Sequence, residues 1–435
     1  MTPTLSWPGI LRLGLVQMAL GSIVVLTTAT MNRVMVVELA LPAILPGLLV
    51  SIYYGTQFLR PRFGHGADRG GRRTPWIVGG VALLAAGAIG AALSVGLMGQ
   101  STWLGIAAAV PSFLMIGLGI GAAGTNLLAL LATRVAEERQ AAAGSAVWIL
   151  MIFGLAVTGI TAGQLLDPYT PARLVAVTAG VGAVAMTLTL VGLWGQERQA
   201  ARPAPKRDID FGQVARELWS DARVRGFTIF VFASMLAYNL QDLILEPFAG
   251  HVFGLTVGES TALGGMHHAG ALVGMLAVLI TGTVLARWIT VPIRVWITGG
   301  CLLSGAALIG LAFGGLHAPV WPLGPNIFLL GLANGAFAVA AIGAMMGLAR
   351  EGDEAREGAR MGLFGAAQAI AFGVGSFAGT AAADVMRGLL SSDAAAYGSV
   401  FFAEGLVFLI AAALALRLTS QPKPTAHGAA LVPGE

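Results

Sequence analysis

The segment that decides the fold is Gly64-His-Gly-Ala-Asp68-Arg69-Gly-Gly71-Arg72-Arg73-Thr-Pro75. It places four charged side chains and several glycines between two long apolar runs. Charged residues are costly inside lipid, whereas a short basic turn is typical of a loop on the cytoplasmic side of a membrane. The segment therefore predicts a polytopic membrane protein in which this turn joins two spans.

The composition supports a membrane location for the whole chain. Of 435 residues, 56% are hydrophobic and 11% are charged, while soluble domains carry about 25% charged residues. A spanning helix needs about 20 mostly apolar residues. The first apolar run is too long for the apolar core of a signal peptide and ends in polar residues. We therefore expect a retained helix there and not a cleaved signal peptide. Twelve spans are predicted, at residues 10–31, 40–62, 75–98, 102–133, 142–166, 171–195, 224–246, 259–286, 293–315, 323–349, 361–386 and 396–417.

The distribution of basic residues predicts the orientation. With both termini cytoplasmic, every Lys and Arg except Arg33, Arg173 and Arg387 falls on the cytoplasmic side, as the positive-inside rule requires. The net charge of +4 then reflects membrane orientation and does not indicate nucleic-acid binding. The single cysteine, Cys301, excludes a disulfide within the chain.

A polar, charged stretch divides the apolar sequence into two similar parts. Four regions are predicted: an N-terminal six-helix bundle (1–195), a cytoplasmic linker with an amphipathic helix (196–223), a C-terminal six-helix bundle (224–417) and a cytoplasmic tail expected to be disordered (418–435). The fold class is thus an all-α polytopic membrane protein with twelve transmembrane helices in two bundles.

The two bundles carry matching motifs at a separation of 214 to 217 residues, which indicates an internal repeat. Small residues four apart let membrane helices pack closely, so we interpret the paired glycines as helix contacts. The matched residues are Gly117 and Gly121 with Gly331 and Gly335, Arg134 with Arg350, Gly159 and Gly163 with Gly375 and Gly379, and Asp167 with Asp384.

Ionisable residues at membrane depth are costly and are usually functional. Two polar clusters are predicted near the outer ends of spans 1 and 7, namely Asn32, Arg33 and Glu38, and Asn239, Gln241, Asp242 and Glu246. One hypothesis is that Arg33 pairs with Asp242 or Glu246 and holds the outer side closed. The alternative is that these side chains extend to the membrane interface.

His267 and His268 are candidate ligands for the magnesium of a tetrapyrrole, since a neutral imidazole is a good axial donor. Adjacent helical residues point about 100° apart, so only one of them can face a central cavity. The alternative is that the histidines hydrogen-bond to a neighbouring helix. No enzymatic motif and no metal-binding motif is found in the sequence.

The segment from Gly64 to Pro75 resembles the loop between the second and third helices of the major facilitator superfamily. That resemblance implies a gating role for Gly64, Asp68, Arg69, Gly71, Arg72 and Arg73, in which Asp68 pairs with a base such as Arg134 and with the start of span 11.

Four segments resemble the PucC/LhaA family of photosynthetic bacteria, a branch of that superfamily: Thr30 to Ala43, Phe58 to Gly64, Arg72 to Ile77 and Gln241 to Gly250. The resemblance implies a non-enzymatic assembly factor that delivers bacteriochlorophyll to antenna polypeptides or chaperones them. The short second loop favours the core-antenna branch. No redox cofactor is expected, and the location implied is the inner, intracytoplasmic photosynthetic membrane. A central cavity lined by small residues such as Gly121, Ala122, Ala123 and Gly335 would suit a bulky apolar ring.

Two other functions remain open at this point. A proton-coupled exporter of a small molecule would use Glu38, Asp242 or Glu246 as proton carrier, and a pigment-free scaffold would hold antenna helices without a small ligand.

Overall fold

The computed structural model describes residues 5–70, 72–136, 139–197, 219–285, 287–288, 291–350 and 354–419. The amphipathic helix predicted in the linker and the tail at 420–435 lie outside these ranges. Nearly all described residues are helical, as lipid requires, because a helix pairs its own backbone groups where no water can.

The described residues form twelve membrane elements. Eleven are long and apolar enough to span a bilayer, and the second is a shorter apolar helix that continues as the polar helix Arg60–Gly70. They are α1 (Trp7–Glu38), α2 (Ile44–Leu59), α3 (Thr74–Met98), α4 (Thr102–Arg134), α5 (Gln140–Leu166), α6 (Pro171–Leu193), α7 (Ala222–Phe253), α8 (Val257–Gly282), α9 (Ile293–Leu316), α10 (Leu323–Arg350), α11 (Glu354–Leu389) and α12 (Asp393–Thr419).

Helix α1 runs seven residues beyond its predicted end at residue 31 and is distorted on the way. Two π-helical turns, Leu26–Thr30 and Val34–Glu38, interrupt its α-helical pattern. The hydroxyls of Thr27 and Thr28 both donate to the Val24 carbonyl, at 2.8 and 3.0 Å, and such bonds compete with the helix ladder. Because of this extension, Asn32 and Arg33 lie inside the helix and not at its end.

Helix α7 is broken in its middle, which the sequence analysis did not predict. It consists of Ala222–Leu240, a turn over residues 241–244, and Leu245–Phe253. Pro247 has no N–H to donate to the carbonyl four residues earlier, so the ladder cannot continue through Leu243. The predicted span ended at residue 246, but the helix continues to Phe253, and Glu246 is therefore enclosed by protein.

The two largest hydrophobic clusters among the described residues form most of the core, one almost entirely from α1–α6 and one from α7–α12. Close glycine contacts tighten each bundle; a Cβ on Gly80 of α3 would lie 2.8 Å from the Gly119 carbonyl of α4. The two bundles meet along α5 and α8 and along α2 and α11. We call the end that carries residues 5–7, 134–140 and 193–197 the linker end, and the end that carries residues 39–43, 167–170, 254–256 and 390–392 the distal end.

Only part of the predicted repeat pairing is confirmed. Gly117 packs against α2 and Gly331 against α8, as repeat-related residues should. By contrast, Gly159 and Gly163 pack across the bundle interface against α8, whereas Gly375 and Gly379 pack against α7 within their own bundle. The pairing of these last four glycines is wrong, because the matching interface on α11 is formed by residues one position later: a Cβ on Gly47 of α2 would lie 2.0 Å from the Thr380 hydroxyl and 3.2 Å from the Ser376 carbonyl.

Candidate functional site

The polar residues of α1 reach across to the second bundle at the distal end. One Arg33 amino group donates to the Glu38 carboxylate, and the other donates to the Leu255 carbonyl at 2.6 Å. Arg33 is only 2% exposed. Extension to the interface is therefore wrong for Arg33, and so is the hypothesis that it pairs directly with Asp242 or Glu246.

Asn32 satisfies the carbonyl that the break in α7 leaves without a helical partner. Its side-chain amide donates to the Leu243 carbonyl. Pro247 has no N–H with which to donate to that carbonyl. Asn32 is 1% exposed. One dipeptide of α1 thus binds the chain just before and just after the short helix Leu245–Phe253.

Glu246 and Gln241 lie in this region with buried polar atoms that have no hydrogen-bond partner among the described residues. Both carboxylate oxygens of Glu246 and both amide atoms of Gln241 are in this state. Buried polar groups are normally paired. These atoms are therefore available to a ligand or a water molecule, and the Glu246 carboxylate can also take up a proton. Glu246 also packs tightly, since a Cβ on Gly264 of α8 would lie 2.6 Å from Oε1.

Aromatic side chains form the neighbouring wall, which the sequence analysis missed. Three of the five tyrosines, Tyr53, Tyr54 and Tyr238, lie near Asp242. The rings of Tyr53 and Tyr54 are 4.5 Å apart, and those of Tyr54 and Phe372 are 5.8 Å apart. Tyrosine is ordinarily enriched at membrane interfaces, so an adjacent pair inside span 2 was the available signal.

Asn239 ties this wall to α11. Its amide donates to the Phe372 carbonyl at 2.7 Å and to the Ser376 hydroxyl at 2.5 Å, and the Tyr54 hydroxyl lies 3.5 Å from its oxygen. The Tyr54, Asn239 and Ser376 contacts therefore join α2, α7 and α11. We call the predicted cluster on span 7, together with Asn32, Arg33 and the three tyrosines, the central polar site.

The structure distinguishes the two candidate histidines. His267 is buried against α10, with Nε2 3.4 Å from the amide nitrogen of Asn334, and a Cβ on Gly331 would lie 2.0 Å from the His267 carbonyl. His268 is half-buried, and its Nδ1 has no described hydrogen-bond partner. It lies one turn from Gly264, on the face of α8 that Glu246 contacts. Because the His267 ring is held by Asn334 of α10, His268 is the better candidate of the two for a ligand at the central polar site.

The small residues expected to line a wide cavity instead pack helices together. A Cβ on Gly335 would lie 2.0 Å from the Ala271 carbonyl, and one on Gly121 would lie 3.1 Å from the Phe63 ring. Ala122 and Ala123 are buried. The expectation is wrong for Gly335 and Gly121, because close helix approach consumes the space that small side chains leave.

The gating loop is described only in part. Gly64 and the backbone of Asp68 and Arg69 belong to the helix Arg60–Gly70, but the Asp68 and Arg69 side chains and all of Gly71 lie outside the described part of the chain. The predicted contact between Asp68 and Arg134 stays a prediction. Arg72 is exposed, and the Arg134 carbonyl accepts from Leu5 N at 2.8 Å.

Arg73 and Glu197 hold the linker end of α3. The Arg73 guanidinium donates to the Ala129 carbonyl at 2.6 Å, and the Glu197 carboxylate accepts from the backbone N–H of Arg73 and of Thr74, the latter at 2.9 Å. Burial tends to raise the pKa of Glu197, but these donors outweigh it and hold that pKa below its ordinary value. Glu197 was assigned to the linker and its capping role was not predicted.

The family and the fold follow from comparison with known proteins. The family described as PUCC protein matches residues 30–422. The chain is 49% identical to the bacteriochlorophyll synthase 44.5 kDa chain of Rhodobacter capsulatus, over 99% of this chain and 98% of that one. It is 32% identical to the protein PucC of Cereibacter sphaeroides, over 89% and 86%.

Solved transporters share the architecture. A bacterial homolog of the human lysosomal transporter Spinster, in an inward-facing and unoccupied conformation, superposes with a TM-score of 0.69 at 14% identity, over 95% of this chain and 98% of that one. The nucleoside transporter NupG gives 0.64 at 15% identity, over 94% and 99%. The predicted major facilitator fold of a multi-pass membrane protein is thereby confirmed. The chain belongs to the PUCC protein family.

Proposed function

We propose that this chain is a non-enzymatic assembly factor for the bacterial light-harvesting antenna, which delivers bacteriochlorophyll to antenna polypeptides or chaperones them. The observation that carries the proposal is the family match over residues 30–422. The 49% identical relative is named as a bacteriochlorophyll synthase chain, which favours the same pigment. The partners are then the polypeptides of the core antenna, in the inner photosynthetic membrane, and both termini of the chain are cytoplasmic.

The central polar site is the proposed place for the pigment as cargo. The imidazole of His268 has a free nitrogen of the kind that ligates magnesium. The amide of Gln241 has an unpaired donor that suits a carbonyl on the macrocycle. The aromatic wall of Tyr53, Tyr54 and Phe372 offers an apolar face for a flat ring. These three features support the proposal that the site holds the pigment.

The proposal is tested with protein purified in mild detergent from cells that make bacteriochlorophyll but lack antenna polypeptides. We expect a stoichiometric near-infrared band that weakens in His268→Ala. His267→Ala is the matched control, because the His267 ring itself packs against Asn334, so its loss should leave the band. A colourless parent protein would contradict pigment carriage, and a change in the pigment's mass on incubation with the protein would contradict a non-enzymatic role.

A second candidate, a proton-coupled exporter of a small molecule, is favoured by one observation. Both oxygens of Glu246 are buried without a described partner, and a carboxyl group at membrane depth is a common proton carrier in transporters. Flux driven by a pH gradient and lost in Glu246→Gln would support export. Antenna cross-links to a colourless protein, without flux, would support the third candidate, a scaffold that holds no pigment.

A further inference from the structure

Asp167 joins the two bundles at one edge of the distal end. It follows the last residue of α5, and its carboxylate accepts from the Thr256 hydroxyl at 2.6 Å and from Gly258 N at 3.0 Å. Both donors belong to the start of α8. A Cβ on Gly258 would lie 2.4 Å from Asp167 Oδ2. The carboxylate therefore fits here only because residue 258 is glycine.

Asp384 makes the corresponding contact at the other edge, in the opposite direction. It lies on α11, and its two oxygens accept from Ala43 N at 2.9 Å and Ile44 N at 2.7 Å, at the start of α2. One turn earlier, Thr380 lies against Gly47, where a Cβ would be 2.0 Å from its hydroxyl. Each bundle thus supplies one aspartate and receives one.

We propose that Asp167 and Asp384 form a pair of repeat-related latches that hold the distal end closed. Each carboxylate supplies acceptors for N–H groups at a helix start, which have no partner within their own helix. The positive end of the helix dipole also favours a carboxylate there. Because each bond joins one bundle to the other, separation of the bundles at the distal end breaks both latches together.

The size of the effect follows from the number of bonds lost. Each aspartate makes two hydrogen bonds with an ionised acceptor. After opening, water replaces the lost partners, so only the net value of the bonds counts. We expect each latch to favour the closed distal end by about tenfold and both together by about a hundredfold, if the two edges are additive.

The test measures opening directly. In a Cys301→Ser background, cysteines replace Gln100 and His317, which are exposed at the distal ends of the first and second bundles. The spin-labelled full chain is placed in lipid nanodiscs, and the distance distribution is measured by double electron–electron resonance. We expect Asp167→Ala with Asp384→Ala to add a longer distance, and each single variant to add less of it.

Two control variants remove distal carboxylates that act within one bundle. Glu259 caps its own helix through Thr256 N at 2.9 Å, and Asp393 pairs with Arg387 at 2.7 Å. Glu259→Ala and Asp393→Ala should keep the parent distribution. If the double alanine variant fails to fold, Asp167→Asn with Asp384→Asn replaces it and should give a smaller shift, because an amide keeps one acceptor oxygen. A folded latch variant with the parent distribution, or controls that open equally, would overturn the proposal.

Discussion

The bond between Asn32 and Leu243 can be tested by supplying the missing donor in another way. Asn32 donates to the carbonyl that Pro247 leaves unserved. Pro247→Ala restores an N–H that can donate to the Leu243 carbonyl four residues earlier. The next residue already makes this kind of bond, since Phe248 N donates to the Ile244 carbonyl at 2.9 Å. Asn32→Ala should therefore cost less in the Pro247→Ala background than in the parent.

The magnitude is set by two opposing terms. A buried carbonyl left without a donor costs about 1–3 kcal/mol, while interhelical bonds in one membrane protein averaged about 0.6 kcal/mol. Asn32 also carries an unpaired buried oxygen, Oδ1, and its removal offsets part of the loss. We expect Asn32→Ala to lower the free energy of unfolding by about 1 kcal/mol in the parent, with most of that recovered in the Pro247→Ala background.

The assay is a double-mutant cycle of reversible unfolding in mixed micelles, followed by circular dichroism. The coupling free energy between positions 32 and 247 is the measured quantity. If Asn32→Ala costs the same in both backgrounds, the two groups do not serve the same carbonyl and the reasoning is refuted.

Three further predictions follow from single contacts. Gly335→Ala should destabilise the protein by about 1–3 kcal/mol, since its Cβ would lie 2.0 Å from the backbone carbonyl of Ala271. Gly79→Ala, with no atom within 4 Å, should be neutral or stabilising in the same thermal unfolding assay, and equal effects would contradict this. Glu197→Gln should lower stability at pH 7; because the pKa of Glu197 is lowered on folding, its contribution is fully present above its unfolded pKa of about 4.3 and is lost as pH falls through the folded pKa. The parent and Glu197→Gln melting temperatures should therefore converge only in acid, and a gap that persists there would argue against the cap. Arg33→Ala should lower the melting temperature more than Arg72→Ala, because Arg33 is buried with two hydrogen-bond partners and Arg72 is exposed. Differential scanning fluorimetry measures both melting temperatures, and equal losses would count against the Arg33 contacts.

Apolar runs were sufficient to predict which segments enter the membrane, because span length and hydropathy are local properties. Contacts between residues far apart in the chain could not be predicted in this way. The Asn32 amide and the Leu243 carbonyl are 211 residues apart, and nothing in either segment alone specifies the other. The break in α7 had a local signal in Pro247, but the apolar residues on both sides concealed it.

Rotation about a helix axis was the second quantity that sequence could not supply. Helical spacing required that only one of His267 and His268 face the centre, but only the structure shows that the His267 ring lies against Asn334 of α10. The repeat shows the same limit. Glycines separated by 216 residues looked equivalent, yet the interface follows the separation of 217 residues that relates Asp167 to Asp384. One residue rotates a helix by about 100°, enough to turn a motif from one neighbour to another.

The contacts of α1 connect closure of the distal end to the position of Glu246. Asn32 binds the Leu243 carbonyl and Arg33 binds the Leu255 carbonyl, so α1 holds both ends of Leu245–Phe253. A Cβ on Gly250, midway along that helix, would lie 3.2 Å from the Arg33 guanidinium. Glu246 lies on the same short helix and packs against Gly264 of α8. Separation of α1 from this helix breaks both carbonyl contacts at once, and opening of the distal end must therefore change the surroundings of the Glu246 carboxylate.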